Sequence, residues 1–485
     1  MNGNVSWLLI AAERFLLGGQ FIEDIYETNP PLSVWIYTPH VLISWLLNVP
    51  LTTGALYTTT GFVILASALT NAILKSFTFI STPQRVVVIL AFLISASILN
   101  STYFAEREHL LILGLIPFIL CQIILLEKIK VKKPILHLSM VLGTVLILVK
   151  PHYGLLPVIF MLYRAVKHKS VFAVFKADFW ALFIGTLSYL AIIMIFFLPY
   201  VSTVLPDSIN MYVGIRDPLA TLYAIQFHLI LYLGVFLLEL FQKDLESKKR
   251  QLLLTLSFSS IVCLIPMIVQ MKGFYNHLIP AYAFFTLGLS LSFAFRLQKF
   301  NRPIQILLPF IAIFFIINTI TPYLAEYSTH KSIAQKPVGA YLTKHCKAPC
   351  SFFAFHGDIE IFNPTAAHMH INIASRFPAF WFLPSLINNQ ENTLALKDKY
   401  SEYVIQDFEK YRPDIIFIRK NIEITGTDTF DFMTFFEKDN RLSDLINTNY
   451  SKTDPLSFAK QDYFAGTSYG KDAAALVFDV YIKNK

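Results

Sequence analysis

The sequence predicts a polytopic α-helical membrane protein of about ten visible spans plus interfacial helices, ending in a C-terminal α/β domain. Three observations carry this. First, the 485 residues are 55% hydrophobic and 15% charged, with a mean hydropathy of +0.54, whereas soluble domains carry about 25% charged residues. Second, charge is uneven: 35 of the first 324 positions are charged, against 37 of the last 161. Third, the loops between apolar runs alternate sharply in Lys and Arg. Together these define an outer loop with interfacial helices over 1–51, a transmembrane helical domain over 52–324 and an extracytoplasmic α/β domain over 325–485.

At the start, residues 5–18 (VSWLLIAAERFLLG) are too short to span and contain Glu13 and Arg14, which suits an interfacial amphipathic helix. Residues 32–49 are long enough to span, but Pro39 and His40 sit at their centre; pattern alone leaves a span and a flat-lying helix both open. Apolar runs then stand out at 52–74, 85–104, 108–126, 134–150, 153–166, 178–200, 218–241, 250–270, 277–296 and 303–324. One alternating set of connections, including Lys128, Lys130, Lys132 and Lys133, holds 17 basic residues; the other holds five, Arg14, Arg107, Lys150, Arg216 and Lys272. The basic-rich set is expected in the cytoplasm, and parity carries the tail outside. In the tail, SFFAF (351–355), DIIFI (414–418) and ALVFDVYI (475–482) read as strands, and 394–411 has helical spacing.

The net charge of +8 does not indicate nucleic acid, because the excess lies in the membrane region, where loop charge sets topology. Cys121 and Cys263 fall in apolar runs; Cys346 and Cys350 flank Lys347-Ala348-Pro349 and can close a small disulfide loop in an oxidising compartment. His368-Met369-His370 reads as a surface strand rather than a metal site. No phosphate-loop, dinucleotide or zinc-protease motif is present.

Four polar clusters lie at the mouths of spans, where charge is costly and tends to be functional or paired. They are Glu23-Asp24-Ile25-Tyr26-Glu27 leading into Asn29-Pro30-Pro31-Leu32; Glu106-Arg107-Glu108-His109; Lys150-Pro151-His152-Tyr153; and Lys272-Gly273-Phe274-Tyr275-Asn276-His277. Taken singly, these read as a solvated turn, a self-neutralising loop and cations snorkelling at span ends. If 32–49 lies flat, all four face one compartment. The mixture then suits a lipid-linked phosphate substrate: cations hold the phosphate, a carboxylate deprotonates an acceptor hydroxyl, and aromatics stack on sugar or lipid. A divalent metal ion is a further candidate for stabilising the departing phosphate.

The stretch from Leu9-Ile10-Ala11-Ala12-Glu13 through NPPL (Asn29–Leu32), followed in order by REHL (Arg107–Leu110), KPH (Lys150–His152), KGFYNHLIPA (Lys272–Ala281) and a polar tail, resembles the bacterial GT-C superfamily of glycosyltransferases. These are relatives of protein O-mannosyltransferases and of the lipid A aminoarabinose transferase, and use polyprenyl-phosphate sugars. The resemblance covers nearly the whole chain. It implies that the PPL helix lies on the outer membrane surface, and that Asp24 and Glu27 stand beside Glu108 and Lys272. The chain departs from the family pattern twice. The family's transmembrane helix before the first loop has no room here, and the place of its first acidic residue falls near Asn4-Val5.

The expected function is therefore transfer of a sugar from a polyprenyl-phosphate carrier to an extracytoplasmic glycan, lipid or protein, in a bacterial inner membrane. The acid/base candidates are Asp24, Glu27 and Glu108; Arg107, His109, Lys150, His152, Lys272, Tyr275 and His277 are candidate substrate contacts. The rival readings are a transporter or flippase of lipid-linked sugars, which would need charge deep in its spans, and a catalytically degenerate scaffold, which Asn4 keeps open.

Overall fold

The computed structural model describes residues 1–97, 103–213, 216–241, 245–296, 332–347, 349–388, 390–420, 422–424, 427–464 and 475–484. The chain divides into two compact units. Unit 1 comprises Met1–Tyr57, Ile193–Ile215 and Lys331–Lys485; unit 2 comprises Thr58–Ile192 and Arg216–His330. The N-terminal segment, expected to form a region of its own, is thus built into the same unit as the C-terminal domain.

Unit 1 is organised around a mixed five-stranded sheet. Its strands are β1 (Ser351–Phe355), β2 (Asn372–Ile373), β3 (Ile415–Lys420), β6 (Tyr450–Ala459) and β7 (Ala475–Lys483), in the order β2-β1-β3-β7-β6. A separate antiparallel pair is formed by β4 (Ile422–Ile424) and β5 (Thr427–Phe430). β1 runs parallel to β2 and β3, while β7 is antiparallel to β3 and β6. The three apolar runs expected to be strands are β1, β3 and β7, and the expected 394–411 helix is Gln390–Tyr411. β1 and β3 are buried on both faces, so their sequences are continuously apolar. β6 is an edge strand, and Pro455 lies where its register shifts, between Thr453 and Leu456, as suits a residue that cannot donate to a ladder. The core is largely phenylalanine: Phe353, Phe355, Phe377, Phe380, Phe408 and Phe436 are all buried in one cluster. Burial of each such ring contributes on the order of 2 kcal/mol.

The first helix, Gly3–Leu16, differs from the amphipathic surface helix expected. Residues 5–12 are buried on every side, which marks a core helix. It lies against Ile359–Met369, and Gly3 permits this: a Cβ there would stand 2.1 Å from the Ile359 carbonyl oxygen. Residues 32–49 form no single span. A short helix, Leu32–Trp35, is followed by Thr38–Leu47, which ends on left-handed Asn48. The second helix buries His40, Val41 and Ser44 and exposes Leu42, Trp45 and Leu46. His368 and His370 end the Ile359–Met369 helix rather than lying on a strand, and His368 Nδ1 is 3.0 Å from the Thr52 hydroxyl. Cys346 and Cys350 are joined in a disulfide.

Among the described residues, six helices are long and apolar enough to cross a membrane: Leu51–Leu74, Arg107–Glu127, Ala177–Phe196, Pro218–Phe241, Ser247–Gln270 and Tyr275–Arg296. The expected ten is thus too many for what is seen. Lys133–Val149 is a shorter apolar helix of 17 residues, at the lower limit of the lengths that cross a membrane; the expected run at 85–104 lies partly outside the described residues. Residues 153–166 split into a 3-10 turn, Pro151–Gly154, and a helix, Leu155–Lys167. The span at 303–324 lies outside the described residues. In unit 2, Arg107–Glu127 is the central helix, with 94% of its apolar window buried, against 11% for Ala177–Phe196. Gly114 and Gly143 bring Arg107–Glu127 and Lys133–Val149 together: a Cβ on Gly143 would sit 2.6 Å from the Phe118 ring. Small residues of this kind let apolar helices approach closely.

Candidate functional site

The four sequence clusters divide between the units, the first falling in unit 1 and the other three in unit 2. In unit 2 those three meet. The site begins at Ala105, a non-glycine residue with φ of 67°, the kind of backbone strain that persists where surrounding structure enforces it. The Ala105 N–H donates to His109 Nδ1 at 3.2 Å, and His109 Nε2 is 2.5 Å from the Ala96 carbonyl oxygen. Nε2 must therefore carry the proton. With both nitrogens engaged by backbone, His109, an expected substrate contact, ties the Ala105 N–H to the Ala96 carbonyl.

Glu108 is fully buried in the first turn of Arg107–Glu127. Its Oε1 faces Lys150 Nζ at 2.8 Å and His277 Nε2 at 3.6 Å, while its Oε2 has no hydrogen-bond partner among the described residues. Lys150 is 7% exposed and caps the C-terminal end of Lys133–Val149. Burial lowers its pKa, and Glu108 opposes that shift. Tyr153 donates its hydroxyl to the His277 carbonyl at 3.0 Å, tying the second and third clusters together. Asn276 Nδ2 reaches Glu106 Oε2 at 3.4 Å.

Lys272 is half-buried. Burial first, then the charges of Lys150 and Arg107, push its pKa down to about 7. Arg107 is 6% exposed. Three cations, Arg107, Lys150 and Lys272, thus stand with two carboxylates, Glu106 and Glu108, leaving net positive charge in a largely desolvated setting. Glu106 was not among the expected site residues, although its position two residues before Glu108 at a helix start was a legible sign. His152 and Tyr275 lie exposed nearby, with His152 Nε2 3.4 Å from Gln270 Nε2.

In unit 1 the acidic loop is tightly bound. Glu27 is 4% exposed; it accepts from the Trp7 indole at 2.8 Å and from the Asn29 backbone N–H at 2.8 Å, and also from the Asn29 side chain. Asp24 pairs with Lys410 at 2.6 Å and accepts from Tyr411 at 2.6 Å and the Gln20 N–H at 3.0 Å. Burial would raise its pKa, but these partners outweigh it and hold it at about 2. Sequence reasoning also missed Asp207. Its Oδ2 receives Tyr26 at 2.5 Å, Tyr400 at 3.2 Å and Lys399 at 2.6 Å, so one oxygen fastens together all three stretches of unit 1. Asn4 lies in the buried first helix.

Among the described residues no group of three or more His, Cys, Asp or Glu side chains is placed to hold a metal ion. Compared with protein-family models, with curated proteins and with solved structures, the chain finds no match.

Proposed function

We propose that this chain is a membrane glycosyltransferase of the GT-C type, moving a sugar from a polyprenyl-phosphate carrier to a glycan, lipid or protein acceptor. The single observation that carries the reading is the unit 2 cluster: a buried carboxylate, Glu108, set against Lys150 and His277, with Arg107 and Lys272 adding positive charge. Such a site suits an anion that brings its own hydroxyl chemistry nearby. Arg107, Lys150 and Lys272 hold the phosphate. Glu108 takes the proton of the acceptor hydroxyl, whose oxygen bonds to the anomeric carbon. The bond from that carbon to the phosphate oxygen breaks with its electron pair on the phosphate, where the cations stabilise it. The order of the four motifs along the chain supports the same reading.

The placement in a bacterial inner membrane, with unit 1 extracytoplasmic, rests on the 17-to-5 division of basic residues between alternate connections. The Cys346–Cys350 disulfide agrees with an oxidising compartment. The exposed Leu42, Trp45 and Leu46 of Thr38–Leu47 suit a helix lying at the lipid surface.

The test is transfer of radiolabelled sugar from a panel of polyprenyl-phosphate sugars by the purified full chain. Loss of a positioned proton acceptor costs about 10²–10⁴-fold, so Glu108→Gln is expected to fall into that range while still folded at the assay temperature, although its unfolding temperature drops because Lys150 is left uncompensated. Wild-type transfer by Glu108→Gln, or no consumption of any polyprenyl-phosphate sugar by the wild-type chain, overturns the proposal.

A further inference from the structure

Unit 2 carries a second concentration of charge, at the opposite ends of two of the helices that build the site. Arg107–Glu127 ends at left-handed Lys128, and the loop that follows exposes Lys128, Lys130, Lys132 and Lys133. Leu155–Lys167 ends alongside it: His168 Nε2 lies 3.0 Å from the Leu126 carbonyl oxygen, and Lys167 pairs with Glu127. The connection after it exposes Lys167, Lys169 and Lys176. Of these seven lysines, Lys167 alone has a carboxylate partner among the described residues.

Between Lys169 and Lys176 the chain makes a short 3-10 turn, Val171–Ala173. Its tip is apolar and projects outward, with Val171 72% and Phe172 82% exposed. A buried arginine braces the turn. Arg164, 1% exposed, donates to the Ala173 carbonyl at 2.8 Å and the Val174 carbonyl at 3.2 Å, and grips Asp178 through two bonds of 2.9 Å. Gln122 donates to the same Asp178 at 2.9 Å. A wholly buried ion pair is thus spent on holding two bare apolar side chains away from the protein. Ala177–Phe196, apolar and long enough to cross a membrane, begins directly after Lys176.

We propose that this end of unit 2 is a binding surface for anionic phospholipid headgroups. The lysines of both loops contact the headgroup phosphates, and Val171 and Phe172 insert among the acyl chains just beneath them. Loop charge of this kind also follows from topology alone. The braced apolar tip is what topology does not require, and what a free phosphate would not use. Lysines beside a membrane span attract acidic lipid at about fivefold in affinity for each residue engaged. The surface is independent of any transfer chemistry at Glu108.

The test uses the purified full chain in neutral detergent micelles, with phosphatidylglycerol, phosphatidylcholine or inorganic phosphate added. A ligand that binds only the folded state raises the unfolding temperature, here by about 3 °C at saturating lipid. Phosphatidylglycerol is expected to do so; the other two additions are not. The quadruple substitution K128Q/K130Q/K132Q/K133Q should abolish the shift, and Phe172→Ser should reduce it; gel filtration verifies that both variants remain folded. Equal shifts from the two lipids, a shift from phosphate alone, or a full phosphatidylglycerol shift in the quadruple variant overturns the proposal. So does its loss in Lys272→Met, which would move the anion to the other end of unit 2.

Discussion

Glu27 and Glu108 are both buried carboxylates, 4% and 0% exposed, yet they are treated oppositely. In unit 1, Glu27 accepts from an indole, a backbone N–H and an amide, so that both of its oxygens are engaged. In unit 2, Glu108 is neutralised by one lysine, and one of its oxygens lacks a hydrogen bond among the described residues. A carboxylate with both oxygens engaged holds structure together. One with an oxygen lacking a hydrogen bond, buried beside cations, is costly to the fold, and the proposed function gives that cost a use. By that criterion Asp24, with three partners, belongs with Glu27.

The contrast is broken most forcefully at Lys150. Removing one partner of a buried ion pair leaves the other uncompensated, at a cost of about 4 kcal/mol. Lys150→Met should therefore lower the unfolding free energy by about that much, and Glu108→Gln on the same background should restore most of it. A double-mutant cycle on the unfolding temperatures reads the coupling directly. If Lys150→Met is as stable as the wild type, Glu108 carries no buried charge and the distinction from Glu27 collapses.

Glu27 comes next. Glu27→Ala strands the Trp7 indole and the Asn29 donors, costing about 2 kcal/mol. Glu27→Gln retains an acceptor and should cost less, with sugar transfer intact. Transfer lost in Glu27→Gln at unchanged stability would return Glu27 to the catalytic residues.

Lys272 sharpens the comparison through pH. Its pKa in the folded chain is held at about 7, and in the unfolded chain it is about 10.4. Between those values the unfolded state holds a proton that the native state lacks, so this residue's contribution to stability grows as pH rises through that window. Anion binding runs the other way: above pH of about 7 the ammonium is lost and phosphate affinity falls, by up to about tenfold per pH unit. Lys272→Arg stays charged and should flatten the profile. A profile unchanged by Lys272→Arg removes Lys272 from the proposed phosphate site.

Much of this was legible in the sequence. The strands SFFAF, DIIFI and ALVFDVYI announce themselves by β-branched and aromatic content, and the unit 2 clusters by charge at the mouths of apolar runs. What was not legible depends on distant partners. Residues 5–12 look like one face of a surface helix until Ile359–Met369 covers the other side. Asp207 means nothing locally, because Tyr26 and Tyr400 reach it across 181 and 193 residues. Nor does a histidine at position 109 disclose that the backbone at Ala96 and Ala105 uses both of its nitrogens. The ten expected spans exceed the six helices long and apolar enough among the described residues; the run at 134–150 folds as a helix of 17 residues and that at 153–166 as one of 13.

Asp24 gives the smallest effect and the cleanest assignment. Its ion pair with Lys410 is partly exposed, at 19% and 45% for the two side chains, so Asp24→Asn should cost no more than about 1 kcal/mol at neutral pH. A carboxylate held below its unfolded value stabilises the fold fully above about pH 3.9, and that contribution fades as pH falls through about 2. An acid titration of stability should therefore separate wild type from Asp24→Asn near neutrality and merge them in strong acid, with transfer at neutral pH the same in both. A hundredfold loss of transfer in Asp24→Asn, without loss of stability, would mean that the acidic loop acts on substrate despite its partners. Engagement of both oxygens would then no longer separate structural carboxylates from working ones in this chain.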